Sequence, residues 1–405
     1  MSTTLCGMSF DLFNQRIQAM LGQLQNQQLL RARKCVQFTT TTECLVDGRR
    51  CISFASNDYL GLTRHPRILQ AFSEAAAVQV GAGASSLIAG RSPWHLQLEE
   101  AIARFESTES AVLFASGFAA NTGTLSSLIG PRDAVFCDRD NHASLIDGCR
   151  GSAGKFFVYD RTDLPRLEKA IASRRSNFDL LFLVTDTVFS MDGTLAPLPE
   201  LCQIAHRFEA TVIVDEAHAT GIFGTQGRGV CELLEVDSQV AVKIGTLSKA
   251  LGGLGGFATG SQRVSDWLWN RARTQFFSTA LPPAVCAAAV AALDVIETEP
   301  ERRQQLGILS TLARQLLTES DLKVIFDSTS PSTSPIISVL AGEEERAVQI
   351  SHAMLSRGFF IPAVRPPTVA TGTARLRMSI CYDHTPEMIQ AAVYHLRDVA
   401  RSEAR

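Results

Sequence analysis

The chain has 405 residues, 45% of them hydrophobic and 20% charged, with a formal net charge of −3. That balance suits a soluble globular protein of two or three domains, and the lack of a long Lys/Arg run argues against nucleic acid or a membrane surface as partner. Ten cysteines lie without a C-x-x-C pair, which disfavours a disulfide framework or a zinc site and points to a reducing cytoplasm.

The opening MSTTLCGMSF lacks the basic and apolar regions of a secretory signal. Residues 9 to 34 read as a polar helix, followed by a short strand pair, ECLVDG from Glu43 and RCISFA from Arg50. Between about residues 94 and 260, short apolar runs alternate with helical patterns, which predicts a parallel sheet flanked by helices. The strand candidates are AVLFA from Ala111, AVFC from Ala134, FFVY from Phe156, LLFLVT from Leu180, TVIVD from Thr211, VAVKIG from Val240 and GFAT from Gly256. Helical patterns begin at Trp94, Asp163 and Leu198.

Only ten residues separate Gly245 from Gly256. That is too few for a right-handed crossover helix, so GFAT should run antiparallel to its predecessor. The expected architecture is α/β: a mixed seven-strand sheet with helices on both faces, plus a smaller α+β domain. An alanine-rich helix starts near Pro283, and its run AVCAAAVAAL is too short to span a bilayer. Residues 1–55 and 286–405 are expected to form the small domain together, with 56–285 as the large one.

In open α/β sheets, ligands bind beyond the carboxyl ends of the strands. AVLFA runs into SGFAAN, where Gly117 and Phe118 would present backbone N–H groups at a helix N-terminus, a ready anion site. AVFC leads to His142, and LLFLVT leads to Asp186 and Ser190. TVIVDEAHATG ends an apolar run on Asp215, with His218 three positions on. A buried carboxylate needs a cation, and removing one member of such a pair costs about 3–5 kcal/mol. An internal salt bridge or a metal could supply it, although no second cluster has ligand spacing.

The remaining strand, in VKIGTLSKALGG, opens into Thr246 and Lys249. A free lysine titrates near pH 10.4, about 4 kcal/mol from a useful general base. A Schiff base removes the charge altogether. One ligand accounts for every feature: an aldehyde carrying a phosphate and a ring cation, which is pyridoxal 5′-phosphate. Lys249 would hold its aldehyde, Asp215 its ring nitrogen and the glycine-rich helix start with Thr246 its phosphate. His142 would lie on the ring face, with Ser190 and His218 at the phenolic oxygen.

The ordered segments SNDYLGL (56–62), SGFAAN, DNHASLIDG, VFSMDG, VDEAHATGIFGTQGRG, GTLSKALGG and RPPTVATGTARLR (365–377) resemble the α-oxoamine synthase family of PLP enzymes. The resemblance runs from about residue 10 to the end. It implies the type I aminotransferase fold and a homodimer with its active site at the subunit interface. It gives Lys249, Asp215, His142, His218 and Ser190 the same roles, and sets Gly117, Phe118 and Thr246 on the cofactor side. It also implies that Arg377 grips the amino-acid carboxylate, that Arg31 and Thr368 line the acyl side, and that Asn57 lies near the amino-acid site. Arg365 is a second carboxylate candidate, and Ser278 and Thr279 are expected to reach a neighbouring subunit's phosphate. Asp186 stands where glutamate is usual, and Ser86 where many relatives carry arginine.

The implied reaction is decarboxylative condensation of L-alanine with pimeloyl-CoA or a pimeloyl-acyl carrier protein, in biotin biosynthesis. The alternatives are glycine with acetyl- or succinyl-CoA, and serine with a long acyl thioester. Outside this chemistry, an aminotransferase would exchange amino groups without releasing carbon dioxide. An idle scaffold paralogue would be expected to lose the lysine that this chain keeps.

Overall fold

The computed structural model describes residues 2–27, 29–326 and 333–402. Its central sheet has seven strands. In spatial order they are Ser110–Phe114, Gly256–Gly260, Val242–Thr246, Ala210–Asp215, Leu181–Asp186, Ala134–Asp138 and Lys155–Tyr159. The five from Val242–Thr246 to Lys155–Tyr159 pair in parallel. Gly256–Gly260 runs antiparallel to both its neighbours, as the short connection requires. Most residues of these strands are buried, because helices cover both faces.

Two four-stranded sheets flank this layer. In one, the strands Val36–Phe38, Glu43–Val46 and Arg49–Ser53 form an antiparallel run. Phe359–Phe360, from the other end of the chain, adds in parallel through Phe359 opposite Ile52. The other sheet has Val324–Ile325, Ile336–Gly342, Ala374–Ser379 and Ala363–Val364, all antiparallel. Alternation along Ala374–Ser379 turns Arg375 and Arg377 toward the central sheet, where Arg375 pairs with Asp192 and Arg377 reaches Ser190. Leu376 points the other way, into the small sheet's own packing.

The N-terminal helix departs from expectation. It spans Ser2–Asn26, and among its exposed polar residues it carries an exposed apolar row of Phe10, Phe13, Ile17, Leu21 and Leu24. It does not continue to residue 34, because the N–H groups of Leu29 and Leu30 fold back onto Leu24 O. Arg31 therefore lies in an extended segment and not at a helix end. Among the described residues, no helix is long and apolar enough to cross a membrane.

Candidate active site

The carboxyl ends of five parallel-running strands open at one edge of the central sheet. Ser116 caps the helix Gly117–Leu128, its Oγ accepting from Ala119 N at 3.1 Å while its carbonyl accepts from Ala120 N. The N–H groups of Gly117 and Phe118 keep no partner among the described residues and form the free end of that helix. Close approach here needs glycine. A Cβ on Gly117 would sit 3.2 Å from Thr246 Cβ and Oγ1, and one on Gly256 would lie 2.5 Å from Ser116 O. Thr246 is itself held through Oγ1, which donates to Gly255 O at 2.9 Å and lies 2.6 Å from Ser248 Oγ.

Asp215 is buried at 4% exposure and ends its strand. Its Oδ2 accepts from Asn121 Nδ2 at 2.6 Å and its Oδ1 from Ala217 N at 2.7 Å. Among the described residues no Lys, Arg or His lies within ion-pair distance of it, which disposes of the internal salt bridge. The carboxylate is therefore held in place by neutral donors and lacks the cation that its burial requires.

Two lysines of one segment show how the chain treats a buried amine. Lys243, on the strand, lies 2.8 Å from Glu106 and 2.9 Å from Asp237. Burial opposes its charge, but the two carboxylates outweigh it and raise its pKa. The amine of Lys249, just beyond the strand, makes no hydrogen bond or ion pair among the described residues, although its carbonyl accepts from Gly252 N at 2.9 Å. Burial lowers its pKa, although Asp215 and Asp186 pull the other way. Of the two, Lys249 alone is left with a partnerless amine at the strand ends.

Asn141 fixes the loop that carries His142. Its Nδ2 donates to Val184 O at 2.9 Å, and its Oδ1 accepts from Asp186 N at 2.8 Å. His142 then caps the helix Ala143–Arg150, its Nδ1 accepting from Ser144 N. Its own backbone N–H donates to Asp186 Oδ2 at 2.6 Å. Burial lowers the pKa of His142, and Phe118 meets its ring edge-on at 6.4 Å. Burial drives the carboxyl of Asp186 well above the usual range, and Asp215 adds to the effect.

The far wall is Arg377, 7% exposed and without an acidic partner among the described residues. Nε donates to Ser190 O at 2.7 Å, Nη1 to Ser379 Oγ at 2.9 Å, and both Nη1 and Nη2 to Asn57 Oδ1 at 3.3 and 3.2 Å. Tyr59 completes the ring, with its oxygen 3.3 Å from Arg377 Nη2 and 2.8 Å from His218 Nδ1. Burial pushes His218 well below the ordinary imidazole pKa, and Lys249 and Arg377 push it further.

At the rim, Arg31 Nη2 donates to Pro366 O at 3.4 Å and Arg365 Nη2 to Leu30 O at 3.0 Å. Thr368 is exposed on the same turn, its N–H bonded to Arg365 O. Ser278 and Thr279 lie on a separate extended segment, where Thr279 bridges to Ser85.

The structure thus gathers Lys249, Asp215, His142, Asp186, His218, Ser190, Asn57 and Arg377 around one site, with Gly117, Phe118 and Thr246 at one side. Sequence reasoning did not single out Asn121, Asn141, Tyr59 or Ser379. Asn121, Asn141 and Tyr59 stood inside the quoted segments, but nothing in one sequence tells a hydrogen-bonding side chain from its neighbours.

The aminotransferase class I and II family matches residues 49–396. The chain belongs to that family. Among members similar to it, the 8-amino-7-oxononanoate synthase of Trichlorobacter lovleyi is 40% identical over 97% of this chain and 99% of its own. The synthase of the same name from Geobacter sulfurreducens is 42% identical over 92% of this chain and 95% of its own. Among solved structures, a serine palmitoyltransferase from S. paucimobilis with a bound PLP–myriocin aldimine superposes with a TM-score of 0.89. It is 29% identical and covers 96% of this chain and 97% of its own. The donor set of this class I and II family member fits pyridoxal 5′-phosphate: a buried carboxylate short of a cation, a partnerless lysine, and a helix end with free N–H groups.

Proposed function

We propose that the protein condenses L-alanine with a pimeloyl thioester, releasing carbon dioxide and the carrier thiol and giving 8-amino-7-oxononanoate for biotin synthesis. The observation that carries this reading is a mismatch of buried charge: among the described residues Asp215 has no cation, Arg377 no anion, and the amine of Lys249 no partner. A pyridine ring and an amino-acid carboxylate supply what the first two lack.

Lys249 would hold the aldehyde of pyridoxal 5′-phosphate, Asp215 the ring nitrogen, and His142 the ring face. Ser190 and His218 would attend the phenolic oxygen, with Gly117, Phe118 and Thr246 on the phosphate side. Bound there, the cofactor supplies an electron sink for negative charge on the α-carbon of an amino acid. Arg377 would bind the alanine carboxylate with two parallel N–H groups, exchanging its long bonds to Asn57 for charge-assisted ones. Lys249, its charged form disfavoured by burial, is suited to take the α-proton. Asp215 would keep the ring nitrogen protonated, and His142 would assist the acyl carbonyl. Arg31 and Thr368 would line the acyl path, with Arg365 beside them as a second carboxylate group.

Alanine and a pimeloyl thioester are preferred because the synthases of Trichlorobacter lovleyi and Geobacter sulfurreducens match nearly the whole chain at 40% and 42% identity. The same reading makes the protein a cytoplasmic homodimer with its site at the subunit interface, which the exposed apolar row of the N-terminal helix favours. It divides the chain into a large domain, 56–285, and a small one from residues 1–55 and 286–405.

The test is a matrix of alanine, glycine and serine against pimeloyl, acetyl, succinyl and palmitoyl thioesters, read by thiol release, carbon dioxide and product mass. Product is expected from alanine with the pimeloyl ester. Turnover of serine with the palmitoyl ester but not of alanine would refute the assignment, as would amino-group exchange with a 2-oxo acid without loss of carbon dioxide.

A further inference from the structure

Tyr59 follows Asn57 by two residues and is completely buried, which is costly for a hydroxyl unless it is bonded. It is well supplied. Its oxygen lies 2.8 Å from His218 Nδ1, 3.1 Å from Asn57 Oδ1 and 3.3 Å from Arg377 Nη2. A hydroxyl has one proton to give and two lone pairs to receive. The question is which neighbour receives the proton.

Arg377 can only donate, so it occupies one lone pair of the Tyr59 oxygen. Asn57 Oδ1 already accepts from both Nη1 and Nη2 of Arg377. Those two donors also fix the orientation of the amide, since the NH₂ group of Asn57 could not face a guanidinium. An amide oxygen has two lone pairs, so a third donor would find both in use. His218 Nδ1 is the nearer acceptor, and Tyr59 is its only hydrogen-bond partner among the described residues.

We infer that Tyr59 donates its proton to His218 Nδ1 and accepts one from Arg377, and so acts as a positioning residue that holds His218 as the Nε2–H tautomer. Consistent with this, burial keeps the imidazole neutral, leaving it a single N–H. Nε2 has no partner among the described residues. It is free to donate into the site, toward the oxygen that the proposed cofactor would present there. One hydroxyl then ties carboxylate recognition by Arg377 to the donor at the ring. That consequence rests on the proposed function; the tautomer itself does not.

The experiment is long-range ¹H–¹⁵N correlation NMR of the purified full-length protein with ¹⁵N-labelled histidine, with His218→Gln to assign the resonance and Tyr59→Phe as the perturbation. In the wild type, Nε2 is expected to show the shift of a protonated nitrogen and Nδ1 that of an acceptor. Tyr59→Phe keeps the ring and its packing, so the fold should persist while His218 changes tautomer or averages between the two. The same variant should raise KM for L-alanine about tenfold or more, as loss of a hydrogen bond to a charged group would, and lower kcat less than KM rises. A wild-type His218 protonated on Nδ1 would overturn the inference even if the variant failed to fold, and so would a tautomer unaffected by Tyr59→Phe. A tautomer that changes while no amino acid is turned over by the wild type would uphold the role of Tyr59 and defeat the functional reading instead.

Discussion

His384 offers a test of what holds the two chain ends, and with them Asn57 and Arg377, in place. Its buried ring stacks on Phe54 at 4.3 Å, accepts from Cys381 N at 2.9 Å through Nδ1, and donates from Nε2 to Ser53 O at 3.0 Å. One nitrogen accepts and the other donates, so the ring must be neutral in the fold. Burial lowers its pKa from 6.5 to about 4. Between those values the unfolded chain binds a proton that the folded chain refuses, so stability falls as pH falls through this window. Each pH unit is worth about 1.4 kcal/mol, so the loss between about pH 7 and pH 4.5 is about 2–3 kcal/mol. The perturbation is His384→Gln, which removes the titration, followed by urea unfolding across that range. The variant should be the less stable near neutral pH, and its deficit should shrink by about 2–3 kcal/mol on acidification. A deficit that stays constant within about 0.5 kcal/mol would show that this proton is not linked to folding, and the reasoning would fail.

Three other outcomes follow from the site. Lys249→Ala should leave the fold intact, abolish turnover, and prevent borohydride from fixing a pyridoxyl group to the peptide carrying residue 249, as read by mass spectrometry. Arg377→Lys keeps the charge but loses the planar fork, so KM for alanine should rise by about tenfold or more while cofactor absorbance is retained. Gly117→Ala brings a methyl group to 3.2 Å from Thr246; cofactor titration should show weaker binding with only a small change in the unfolding midpoint, whereas unchanged affinity would remove Gly117 from the phosphate side.

The order of strands and helices from residue 94 to 260 could be read in advance because apolar periodicity and short connections are local properties. The antiparallel turn of Gly256–Gly260 followed from chain length alone. Lys249, Asp215 and His142 could be singled out for a related reason: each sits at or just past the carboxyl end of a strand, and strand ends converge whatever the helices between them do. The end of the N-terminal helix was misjudged because nothing local in the sequence marks where Leu29 and Leu30 turn back onto Leu24.

What tertiary structure alone decided is who answers whom. Asn121 reaches Asp215 across 94 positions of the chain, Tyr59 reaches His218 across 159, and Asn57 reaches Arg377 across 320. No local pattern encodes those pairings, because they arise where sheets and chain ends pack together. That, among the described residues, Asp215 is left without a cation and Arg377 without an anion is likewise a fact of packing. A sequence can name its charged residues, but only the fold shows which of them burial leaves uncompensated.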